Sequence, residues 1–146
     1  MGSVDELIKA QVLTARVACE QITSPVLQRL AESVDQACCL PSKPGWERKA
    51  AAHAEIFRLL ADVAGHPTAV GPLAAIDELM RTVGPAANGI ITSSHRRLLA
   101  RMGAGDAEGA AREMENHLRV LHYMGLLADR NHEDHVMSAH QAEPQH

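Results

Sequence analysis

Apolar residues along this chain recur at intervals of three, four and seven, and no stretch alternates apolar and polar long enough to suggest a strand. The periodicity predicts six helices, over about 4–21, 24–39, 46–64, 68–83, 86–103 and 107–128. The punctuation between them agrees. Ser24-Pro25 reads as a cap followed by proline in the first turn, and Leu40-Pro41-Ser42-Lys43-Pro44-Gly45 as a loop. Gly65-His66-Pro67 stops the third helix and Thr68 can cap the fourth, with Pro72 placed in its first turn or at a kink. Gly84-Pro85 and Gly103-Ala104-Gly105-Asp106 are further breaks, Asp106 capping the last helix. Beyond residue 128 the chain turns polar and loses its period, which predicts a disordered tail over 129–146. Short connections between amphipathic helices predict an all-α, antiparallel bundle of about six helices.

Three of the predicted apolar stripes each carry one histidine. They run Ala50, His53, Phe57, Leu60, Ala64; then Ile91, His95, Leu98, Met102; then Met114, His117, Leu121. An imidazole is costly to bury without a partner. Two explanations stand side by side. The three rings share a divalent metal such as zinc, for which neutral imidazole is a common ligand, or each is an ordinary core histidine bonded to a nearby carbonyl. The tail holds His132, His135, His140 and His146, and there solvated residues without a scaffold are expected rather than a metal motif.

Composition narrows the class. A chain of 146 residues makes one domain, and 46% hydrophobic content with only 2% aromatic suits close helix packing. No run is long enough to span a membrane and no leader pattern opens the chain, so a soluble cytoplasmic protein is expected. A net charge of −4 disfavours gripping a nucleic-acid backbone; the small cluster His95-Arg96-Arg97 with Arg101 is expected on an outer face. Three cysteines, Cys19, Cys38 and Cys39, are an odd number without CxxC spacing. They read as small apolar fillers in a reducing compartment.

Three stretches together resemble the FCD domain, the effector-binding half of FadR-type GntR-family transcription regulators. They are Ile56 to His66 (IFRLLADVAGH), Ser94 to Leu99 (SHRRLL) with the break at Ala104-Gly105-Asp106, and Ala110 to Leu118 (AAREMENHL). The opening Val4-Asp5-Glu6-Leu7 resembles the point where such domains begin, and the likeness extends to residue 128. The resemblance implies a bundle in which an Asp and three His hold a divalent metal beneath a small carboxylate effector. By position, His95 and His117 match two of those histidines, His53 stands where the Asp belongs, and Phe57 stands at the remaining histidine. It implies either a site of His53, His95 and His117 with open positions, or a metal-free pocket that Phe57 fills and that takes a more apolar effector. Gln11 stands where the family often carries an effector-binding Arg, and Asn88, Ser93 and Ser94 are further polar candidates.

The function so implied is a non-enzymatic ligand sensor. A small organic acid is held at Gln11, Phe57, Asn88 and Ser94, with a metal on His53, His95 and His117, and a homodimer transmits the signal. DNA would be reached only through a winged-helix domain that does not precede Val4 in this chain. Two rivals stand beside it: a metal-dependent bundle enzyme using Glu113 as base, and a dimerisation module with a closed pocket.

Overall fold

In the computed structural model the described residues are 3–65 and 73–141, with side chains described as far as Arg130. They form six α-helices and no strand: α1 (Val4–Gln21), α2 (Ser24–Cys39), α3 (Trp46–Ala64), α4 (Leu73–Val83), α5 (Asn88–Gly103) and α6 (Ala107–Gln141), with a 3-10 turn at Pro85–Ala87 before α5. No helix among them is long and apolar enough to cross a membrane.

Most ends form as the residues dictate. Ser3 accepts a hydrogen bond from the Glu6 amide at 3.2 Å and starts α1. Asp106 does the same for Gly109 at 2.8 Å and starts α6. Gly65, at φ 61°, turns left-handed and closes α3 through its N–H to the Ala61 carbonyl, a conformation that costs glycine nothing. One boundary differs from expectation. α2 is preceded by Thr23 rather than capped by Ser24, and Pro25 sits inside its first turn, where its missing N–H is not needed. The start of the fourth helix proposed at 68–72, with its Thr68 cap and Pro72, lies outside the described residues; the helix is described from Leu73.

The larger correction is α6, which continues to Gln141, well past residue 128. Residues 129–141 lack an apolar stripe but also lack any Gly or Pro, so nothing in them breaks a helix already nucleated upstream. His132, His135 and His140 therefore lie on helical backbone, their side chains outside the described residues, and His146 lies wholly outside them.

α3 runs through the interior, packed against α1, α2 and α4, while α6 packs on α1, α4 and α5. Two side chains from the first turn of α3 finish neighbouring helices. The Trp46 indole donates to the Met80 carbonyl at 3.1 Å, near the end of α4. Lys49, only 2% exposed, donates to the Cys38 and Leu40 carbonyls at 2.8 and 2.6 Å, at the end of α2. Carbonyls in a helix's last turn have no partner within the helix, and a cation there also meets the negative end of its dipole. Replacing Trp46→Phe keeps most of the ring and removes the donor. The expected cost is about 1–2 kcal/mol, read from the urea midpoint.

Of the basic cluster on α5, the three arginines face outward as expected and are engaged in ion pairs: Arg96 with Asp35 at 3.1 Å, Arg97 with Glu113 at 3.0 Å and Arg101 with Asp106 at 3.2 Å. His95, by contrast, is buried, because it stands on the inward stripe of the same helix. Of the cysteines, only Cys19 is a buried filler; Cys38 is half-buried and Cys39 exposed, all three as free thiols.

Candidate functional site

The inward stripes of α3, α5 and α6 bring His53, His95 and His117 to one place in the interior, at 0%, 1% and 3% exposure. The rings touch in series. The centroid of His95 lies 4.9 Å from His53 and 4.8 Å from His117. Phe57, one turn after His53 on α3, closes the group. Its ring stacks on His117 at 6.0 Å and 14° and meets His95 edge-on at 5.7 Å. Four rings packed on one another thus join α3 to α5 and α6.

Only one hydrogen bond joins them. His53 Nδ1 and His95 Nδ1 stand 2.9 Å apart, so one ring donates its N–H to the other's lone pair. The tautomers follow from that: the donor ring keeps a lone pair on Nε2, and the acceptor ring carries its proton there. Neither Nε2 has a partner among the described residues, and neither nitrogen of His117 has one. Burial holds all three rings neutral. It lowers His53 to about 4, with help from the Lys49 ammonium one turn before it. It lowers His117 to about 3, aided by His53 and Arg97, and takes His95 well below the ordinary imidazole value.

The other expected site residues divide. Gln11, from α1, is fully buried, and Ser94 is buried, its hydroxyl accepting from Arg97 at 3.4 Å. Asn88 is half-buried with a buried, unpartnered Oδ1, and Ser93 is exposed. Thr92 is a residue the sequence reading missed. Its buried Oγ1 also lacks a partner, and its place four after Asn88 and three before His95 puts all three on one face of α5. Glu113, the candidate base, turns to Arg97 at 3.0 Å and Arg101 at 3.8 Å instead of to His117.

Whether these residues suit a metal has a divided answer. Their chemistry does, since neutral imidazoles with spare nitrogens are what a divalent ion selects. Their arrangement does not. The nearest two nitrogens are bonded to each other, a hydrocarbon ring covers two of the three imidazoles, and among the described residues no group of three or more His, Cys, Asp or Glu side chains is arranged to hold an ion.

The model of one family, the FCD domain, matches residues 11–120, which takes in α1 from Gln11 onward, α2 to α5 and the first part of α6. The chain belongs to the FCD-domain family. Searches of curated proteins and of solved structures give no match. The matched span contains every ring of the buried cluster.

Proposed function

We propose that this FCD domain is the effector-sensing part of a GntR-family transcription regulator. A small organic acid enters at His53, His95 and His117, and a homodimer passes its binding on to DNA-binding domains. The observation that supports this is the cluster itself: four imidazole nitrogens, buried and unpartnered, at the junction of three helices. Native cores seldom leave such groups unsatisfied, and a ligand that supplied partners would repay their desolvation. Gln11, Asn88, Thr92 and Ser94 add uncharged polar groups on α1 and α5.

The four rings form a continuous chain of contacts, so a ligand must part them. That separation gives α3, α5 and α6 two arrangements, and an acid that binds only the parted one shifts the population toward it. Thermal denaturation tests the reading. Acetate, lactate and citrate at one pH are compared with chloride at matched ionic strength, since a ligand of the folded state raises the melting temperature. At least one acid is expected to raise it, and His95→Gln to abolish the rise. If no acid of a broad panel does so, the packed rings favour the other reading, a dimerisation module with a closed centre.

A further inference from the structure

We infer that the chamber of this domain takes no metal ion, and that His53 and Phe57 are the two residues that exclude one. The inference deepens the sensor reading by naming how its site holds a ligand, through uncharged hydrogen-bonding groups alone.

Geometry gives the first reason. Two nitrogens bound to one ion at about 2.0–2.1 Å in a tetrahedron stand roughly 3.3 Å apart, each with its lone pair on the metal. Those of His53 and His95 stand 2.9 Å apart and face each other, which requires a proton between them. An ion held by those two nitrogens would have to displace that proton and break the one hydrogen bond of the cluster.

Phe57 gives the second. One turn beyond His53 is the place from which α3 could add another donor, and the residue there is a hydrocarbon ring in contact with both His95 and His117. Charge gives the third. The rings are neutral, the Glu113 carboxylate of α6 is taken by two arginines, and the buried Lys49 ammonium lies one turn from His53. A dication would enter a low-dielectric space with a buried cation one turn from His53, and among the described residues no carboxylate joins the rings in a group that could hold it.

The test is metal content, which needs no effector and so fails or succeeds independently of the sensor reading. The protein is purified without chelator, dialysed against Zn²⁺ or Co²⁺ and then against buffer, and assayed by mass spectrometry beside His95→Gln. Equal metal in the two proteins is expected, any residual ion belonging to other histidines. An ion near one per chain that His95→Gln removes would overturn the inference. The double substitution His53→Asp, Phe57→His supplies a carboxylate and a further imidazole. It is expected to retain about one Co²⁺ per chain, with the visible absorption bands of a low-coordinate site. A folded double variant that stays empty would show that these positions are not what excludes the ion. If the double variant does not fold, Phe57→His alone is read the same way.

Discussion

Taken from pH 7 to pH 4.5 at constant salt, the protein loses several kcal/mol of stability with its helices unchanged in the folded fraction. The sign follows from the rings. His53 and His117 hold folded-state values of about 4 and about 3 against an ordinary 6.5, and His95 is also lowered. Between those values and 6.5 the unfolded chain binds protons that the folded one refuses, so stability rises with pH across that window. It is complete above about 6.5 and drains as pH falls toward the folded values, below which these groups add no further loss. At 1.36 kcal/mol per unit, His53 alone accounts for about 3 kcal/mol. The rings interact, so their contributions do not simply add. Against a typical total of about 5–15 kcal/mol, acid unfolding is expected while most surface carboxylates are still ionised. Urea midpoints at the two pH values measure the loss, and His53→Gln, which cannot titrate, is expected to reduce it. A flat profile over this range would mean that the rings are solvated.

Much of this was readable from residue order because helices announce themselves through their buried side. The stripes through His53, His95 and His117 predicted three inward faces, and each histidine is at most 3% exposed. What the stripes cannot express is the distance across the centre. Period tells which way a ring faces, not which nitrogen it meets, so the His53–His95 bond was invisible while the convergence was not. Lys49 was overlooked for a related reason. Its charge suggests solvent, yet it stands four residues before His53 on the inward stripe and finds carbonyls left open by the end of α2. Thr92 could have been found by the same counting from Asn88. The extent of α6 was misjudged because loss of an apolar stripe ends burial, not helix; without Gly or Pro the backbone goes on to Gln141.

Phe57→Ala sets the packing of the cluster against its polarity. Removing a ring that is 1% exposed from a close-packed centre costs about 3–5 kcal/mol when the hole stays dry. This hole would not stay dry. Its walls include His95 and His117, three of whose nitrogens lack partners, and water enters a cavity that offers it several hydrogen bonds. The expected loss at pH 7 is therefore near the lower end of that range, about 3 kcal/mol. Water at the rings also lessens the desolvation that keeps them neutral, so the imidazole values rise and the loss between pH 7 and 4.5 shrinks. Leu60→Ala supplies the contrast: the side chain is equally buried and lies one turn further along α3, away from the ring contacts. It is expected to cost a comparable 2–5 kcal/mol and to leave the pH dependence as it was. Urea titrations of the three proteins at both pH values decide the matter. If Phe57→Ala and Leu60→Ala weaken the protein equally at both, the phenyl ring is only filling space and does not keep water from the histidines.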